Sequence, residues 1–143
     1  MQLSTIIAAK GDFVATIQPD ASVADLVAML AEHSVGALIV SADGRTITGI
    51  VSERDVVRAI AHGPEALARP VAAIMTSQVF CAPPEAHVDE LMHVMTDKRV
   101  RHIPVTDPDG ILLGIVSIGD VVKSRLGELE GERAALMEYI TRG

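Results

Sequence analysis

One nine-residue pattern occurs twice. Gly49-Ile50-Val51-Ser52-Glu53-Arg54-Asp55-Val56-Val57 returns 65 residues later as Gly114-Ile115-Val116-Ser117-Ile118-Gly119-Asp120-Val121-Val122. Each copy joins three parts. An apolar run rich in Ile and Val reads as a buried strand. A Ser then precedes an Asp by three positions, a capping box with Asp in place of the usual Glu. An apolar pair resumes at helical spacing. The chain therefore passes from strand to helix at Ser52 and again at Ser117. A helix N-terminus offers unpaired amides and partial positive charge, which suits a phosphate. A carboxylate one turn in can accept hydrogen bonds from both hydroxyls of a ribose. A single capping box does no more than start a helix. Two in register mean that the unit around the turn has been duplicated.

The duplication extends well beyond the pattern. Residues 19–57 align on 84–122 without a gap, with identity at Pro19, Ala21, Val23, Leu26, Val35 and Val40 as well as within the motif. Each half reads as β-α-β-β-α. In the first half, Asp12 to Ile17 is a short strand, and Ser22 caps a helix whose Val23, Leu26, Val27, Leu30 and Ala31 share one face. Gly36 to Val40 is a buried strand, Asp43-Gly44 a turn, Thr46 to Val51 the paired strand, and Glu53 to Ala61 a helix closed by Gly63-Pro64. Residues 64–70 read as a linker, followed by a helical turn over Val71 to Met75. In the second half, Gln78 to Cys81 is a strand and His87 to Lys98 a helix. Arg101 to Thr106 and Ile111 to Val116 form a hairpin across Asp107-Pro108-Asp109-Gly110. Pro104 cannot donate to a ladder, so its strand is at an edge or bulged. Residues 4–9 form a short helix before the first unit, and Val121 to Gly143 a helical tail weakened by Gly127 and Gly131.

These elements define an α/β (α+β) fold. Its divisions are 1–68, 69–126 and a helical tail at 127–143. A three-stranded unit with two helices leaves one sheet face partly bare and is marginal alone. Packing the two units about a pseudo-two-fold axis covers that face and creates two equivalent clefts. The tail has no counterpart in the first half and reads as a dimer contact or lid.

Composition narrows the function. The chain is 49% hydrophobic but 2% aromatic, so its core is aliphatic. A net charge of −7 argues against nucleic acid as the main partner, which needs a basic surface. A small nucleotide needs only a local basic cluster, and Lys98, Arg99, Arg101 and His102 supply one. The single Cys81 excludes an internal disulfide and fits a reducing compartment. Neither a targeting signal nor an apolar run of ~20 residues is present, so a cytoplasmic protein with no membrane partner is expected.

Tandem β-α-β-β-α units, each ending in Gly-Ile-Val-Ser-x-x-Asp-Val-Val, resemble a pair of cystathionine-β-synthase (CBS) domains, the Bateman module. The resemblance runs from about residue 5 to residue 125. It is nearest to small stand-alone bacterial two-CBS proteins, through Glu53-Arg54-Asp55, Arg101-His102-Ile103-Pro104-Val105 and Ser117-Ile118-Gly119-Asp120. The resemblance implies binding of an adenosyl ligand: AMP, ADP, ATP, or in some members NAD(H) or S-adenosylmethionine. It also implies energy sensing without catalysis. Asp55 and Asp120 would hold ribose hydroxyls, with Ser52 and Ser117 on ribose or phosphate. Thr16-Ile17 and Cys81-Ala82 would line the adenine slots through backbone groups, opposite Gly36-Ala37-Leu38 and His102-Ile103-Pro104. Arg54, Arg101 and His102 would meet phosphates, with Ile118 and Gly119 beside the second site. The halves differ: Arg54 pairs with Gly119, and Arg101-His102 with Gly36-Ala37, so two sites of different character are expected.

Three rival readings compete. Catalysis lacks a nucleophile–base pair, since Cys81 has no His near it in sequence and the Ser residues lack the Gly-x-Ser-x-Gly turn of a hydrolase. A metal site on His87, Glu90 and His93 lacks the second i, i+3 pair that a bundle centre uses. A structural dimerisation module with empty clefts is the third. The sensing reading implies a homodimer and a protein effector acted on in trans.

Overall fold

The computed structural model describes residues 1–11 and 14–142. Its elements run α1 (Leu3–Lys10), β1 (Thr16–Ile17), α2 (Val23–His33), β2 (Ala37–Val40), β3 (Gly49–Ser52), α3 (Glu53–Ala61), α4 (Val88–Lys98), β4 (His102–Thr106), β5 (Leu112–Ser117) and α5 (Ile118–Arg142). Two short 3₁₀ turns, Pro64–Ala68 and Val71–Ala73, follow α3 and precede α4 in the chain.

The duplicated motif folds as its residues dictate. The Ser52 hydroxyl accepts from the Asp55 amide at 3.4 Å, and Asp55 Oδ2 accepts from the Ser52 amide at 2.9 Å. Ser117 and Asp120 repeat the pair at 3.1 and 2.9 Å. Each box satisfies orphan donors at a helix start. The Ser22 hydroxyl caps α2 through the Asp25 amide at 3.0 Å, whereas His87 at the matching place makes no side-chain cap bond. Helices α2 and α4 both end on a left-handed residue that is not glycine, Ser34 (φ 52°) and Arg99 (φ 54°).

In the first sheet β1 runs parallel to β2, and β2 antiparallel to β3. Asp43 decides where β3 begins: its carboxylate takes the Arg45 and Thr46 amides, both at 2.8 Å. Thr46 then bridges Ile111 of the other lobe, so the strand expected from Thr46 starts at Gly49. The strand expected over 12–17 is reduced to Thr16–Ile17 among the described residues, Asp12 and Phe13 lying outside them.

The second sheet corrects the expectation of a strand over 78–81. Only β4 and β5 pair, and Ala82 alone bridges Val105 in parallel. The cause is Pro104. Ala82 donates to the Pro104 carbonyl at 3.0 Å and accepts from Thr106 at 3.0 Å, matching the parallel pairing of Ile17 on Val40. The next pairing, Thr16 on Ile39 in the first lobe, uses the amide of the β2 residue, and at 104 that residue is proline. The expected irregularity is also present, as a register shift between Val105 and Thr106.

The cores do not follow chain order. Leu3 and Ile6 of α1 pack with Val88, Leu91, Met95, Ile103 and Val116 of the second lobe. Val71, which lies before the second lobe, packs with Val23, Leu26, Leu38 and Val51 of the first. The two docked segments make matching bonds. Val71 and Ala72 donate to the Ala21 and Pro19 carbonyls at 2.8 and 3.0 Å, while Leu3 and Ser4 donate to Ala86 and Pro84 at 2.9 Å each. Within 64–70 Ala66 is buried and the other residues are exposed, and the Arg69 carbonyl accepts from the Val23 amide at 2.9 Å. Burying Leu3 or Ile6 contributes ~1.5–3 kcal/mol each, enough to fix α1 on the distant lobe.

The glycine that opens each motif makes room for this exchange. A Cβ at Gly49 would lie 2.7 Å from both Met75 Sδ and the Thr76 carbonyl, and one at Gly114 would strike Ile7 Cδ1. Helix α5 runs unbroken through Gly127 and Gly131, and beyond Val121 its surface is largely exposed. No helix among the described residues is long and apolar enough to cross a membrane.

Candidate functional site

The crossing segments enclose two clefts related by the same pseudo-two-fold axis. The first, of about 370 Å³, lies where the start of α3 meets the start of β2 and the entry to β4. It gathers Ser52, Glu53, Arg54 and Asp55 from the motif, Arg58 one turn further along α3, Gly36 and Ala37 at the entry to β2, and Arg99, Val100, Arg101 and His102 from the other lobe. Thr76, Gln78, Val79 and Phe80 close it. Local structure explains each placement. Arg54 and Arg58 are one turn apart on α3 and share a face. Arg99, at the left-handed end of α4, also lines the cleft. Lys98 Nζ lies 4.7 Å above the Phe80 ring, a cation–π contact that holds the ring at the rim.

Asp55 is half-buried, and its Oδ2 also accepts from the Ser52 hydroxyl at 3.1 Å. The pair thus presents an oriented carboxylate over the N-terminal amides of α3. His102 sits between the lobes, 3.5 Å from where a Cβ on Gly36 would lie. Burial holds its pKa below 6.5, with Lys10 and Arg101 adding to the depression and Asp120 and Glu53 opposing it. At neutral pH it is therefore a neutral hydrogen-bonding group, and the cations of the cleft are its arginines.

The second cleft is smaller, about 180 Å³, and is lined by Ile7, Lys10, Gly11, Val14, Ala15, His33, Val35, Ala37, Leu38, Gly114 and Ile115. Asp120 lies beside it, with Lys10 Nζ on its Oδ2 at 2.7 Å. The lysine and the Ser117 amide hold the Asp120 carboxyl below the ordinary carboxylate range, against the opposing effect of partial burial.

Of the residues singled out from sequence, Gly36, Ala37, Ser52, Arg54, Asp55, Arg101 and His102 meet in the first cleft. Ala37 and Leu38 border the second. Ile17, Ala82, Ile103 and Pro104 are buried within the lobes, and Thr16 is half-buried on β1. Ile118 and Gly119 face outward along α5, beside Val122 and Leu126. Cys81 is half-buried with Sγ 3.8 Å from the Val79 carbonyl, and burial raises its thiol pKa. Sequence reading missed Arg58 and Phe80. The i, i+4 spacing from Arg54 was available for Arg58. The expected strand over 78–81 hid Phe80. No cluster of three or more His, Cys, Asp or Glu able to hold a metal occurs among the described residues.

Two lobes of this build, joined by exchanged segments and facing each other across paired clefts, define a tandem-repeat module. The CBS-domain family signature matches residues 11–62 and 71–127, and the chain belongs to that family with two CBS repeats. It is 40% identical over 129 residues to the mitochondrial CBS domain-containing protein CBSX3 of Arabidopsis thaliana, covering 87% of this chain and 62% of that relative's length. Among solved structures, the CBS-domain protein ATU1752 of Agrobacterium tumefaciens superposes with a TM-score of 0.83 at 38% identity, over 87% of this chain and 99% of that one. PAE2072 of Pyrobaculum aerophilum, solved with AMP, shares the fold at a TM-score of 0.74 and 24% identity, over 84% and 89% of the two chains.

Proposed function

We propose that this chain is a regulatory adenosyl-nucleotide-binding module. It takes AMP, ADP, ATP or NAD(H) in the first cleft and passes the change in lobe arrangement to a protein effector in trans. One observation carries the reading. Arg54, Arg58, Arg99 and Arg101 converge on a cleft floored by Ser52 and Asp55, in a chain whose net charge is −7. Asp55 takes the ribose hydroxyls, and the helix amides and arginines take phosphate oxygens. The cleft volume lies in the range of small-ligand sites, roughly 300–1,000 Å³. The AMP complex of the Pyrobaculum relative supports an adenine nucleotide. Carboxylate, amides and guanidinium groups are gathered here to hold a ligand, and the module binds without turnover.

Regulation follows from differential affinity. A ligand touching α3 of one lobe and the β4 entry of the other favours the arrangement in which both sets of contacts form. A second copy is the partner assigned to the exposed apolar face on α3 and α5. Val57 and Val122 hold equivalent motif positions and are 67% and 47% exposed, flanked by Ile60 and Leu126.

Isothermal titration with ATP, AMP and adenosine tests the reading. Arg101→Ala should weaken ATP by about 10-fold or more, from loss of a charge-assisted contact of ~1.5–3 kcal/mol, and barely change adenosine. Asp55→Ala should weaken all three, with melting followed alongside because cap loss costs ~0.5–2 kcal/mol. Equal loss of ATP and adenosine in Arg101→Ala would reject the phosphate role, and no binding by the unaltered chain would reject the function.

A further inference from the structure

The two motifs carry the same Ser and Asp, yet the two aspartates differ in their partners. Among the described residues Asp55 is hydrogen-bonded by Ser52 alone, through the amide and hydroxyl on Oδ2. Asp120 has a second partner. Lys10, the last residue of α1, places Nζ 2.7 Å from Asp120 Oδ2 and 2.8 Å from the Ile115 carbonyl. Helix α1 cannot easily withdraw, because Leu3 and Ile6 are locked into the second lobe's core and Ile7 presses on Gly114.

We propose that Lys10 is an internal occupant of the second cleft, and that it limits the chain to one nucleoside per pair of lobes. The inference rests on the nucleotide-binding reading and deepens it by assigning its stoichiometry. The Asp120 carboxylate faces a tethered ammonium where the Asp55 carboxylate faces open cleft. A ribose diol at Asp120 must displace an ion pair and offers the carboxylate only uncharged donors in its place. The ammonium also takes the Ile115 carbonyl, so its removal unmakes two bonds. The cleft that Lys10 borders has about half the volume of the other, 180 against 370 Å³. Among the described residues it also lacks the first cleft's arginines, since Gly36 and Gly119 stand where that cleft has Arg101 and Arg54. The first lobe's docked segment brings no cation to the matching place: Met75 and Thr76 lie against β3 there.

Adenosine is the informative probe, because it needs no phosphate site. Equilibrium dialysis of the full chain should give one adenosine bound to the unaltered protein. Lys10→Met keeps the stem of the side chain and removes the charge, and it should raise the count to two. Lys10→Arg keeps the cation and should leave it at one. In Asp55→Ala the count should fall to zero, and in Asp55→Ala combined with Lys10→Met it should return to one, which places the new site in the second cleft. Two sites in the unaltered chain, or one in Lys10→Met with its melting temperature retained, overturns the role of Lys10 and leaves the nucleotide reading standing. Absence of binding in the unaltered chain and in Lys10→Met overturns both.

Discussion

Arg99 is held in a backbone conformation that favours glycine, and its charge faces the ligand cleft. The two properties predict opposite effects for Arg99→Gly. At φ 54° and ψ 37° the side chain crowds the following carbonyl, at a cost of ~1–2 kcal/mol for an L-residue. Glycine removes that cost and loses ~0.5–1 kcal/mol through greater freedom of the unfolded chain. The net expectation is a gain of about 0.5–1 kcal/mol, a rise of roughly 2–5 °C in melting temperature for a domain of this size. The same change removes one guanidinium from the first cleft. The residue is exposed, so the lower end of the charge-assisted range applies, ~1.5 kcal/mol or about a 10-fold weaker ATP affinity. Ser34→Gly is the control. It sits at φ 52° on the equivalent cap of the first lobe and is not among the residues lining the first cleft, so it should raise the melting temperature without changing ATP binding. Circular-dichroism melting and titration calorimetry read both effects on the same samples. A lower melting temperature in both variants refutes the strain argument, and unchanged ATP affinity in Arg99→Gly refutes its role at the phosphate.

Two further outcomes follow from burial. His102 has a lowered pKa, so the folded chain binds fewer protons at this position than the unfolded chain, whose His titrates near 6.5. Its contribution to stability is complete above that pH and is lost as the pH falls through it. The drop in melting temperature between pH 7.5 and 5.5 should therefore be smaller in His102→Ala, which installs the residue found at position 37 of the first lobe; an unchanged drop contradicts the assignment. The exposed valines of α3 and α5 predict a dimer in sedimentation velocity at micromolar concentration, converted to monomer by Val57→Glu with Val122→Glu. A monomeric unaltered chain rules out that interface.

Much of the fold was legible because its signals are local. The Ser52–Asp55 and Ser117–Asp120 boxes fix where strand becomes helix, and α3 has the bounds its cap and Gly63-Pro64 imply. The 65-residue repeat fixed two like lobes, and repetition of a half-covered unit implied their pairing. The asymmetry between Arg54 and Gly119, and between Arg101-His102 and Gly36-Ala37, was visible before any geometry. What escaped was non-local. Pro104 was read as an irregularity in its own strand, but its main effect is to deny a partner to residues some 24 positions earlier.

The chain's own order of residues thus determined the unit, its copy number, its helix boundaries and the chemistry available at each turn. Tertiary structure alone decided which core each connecting segment joins. An apolar stripe such as that of α1 carries no record of which of two similar lobes will cover it. The choice of lobe brings Lys10 to Asp120 and leaves Asp55 open. The difference between the clefts therefore depends on a contact across 110 residues of chain, between side chains that no local pattern connects.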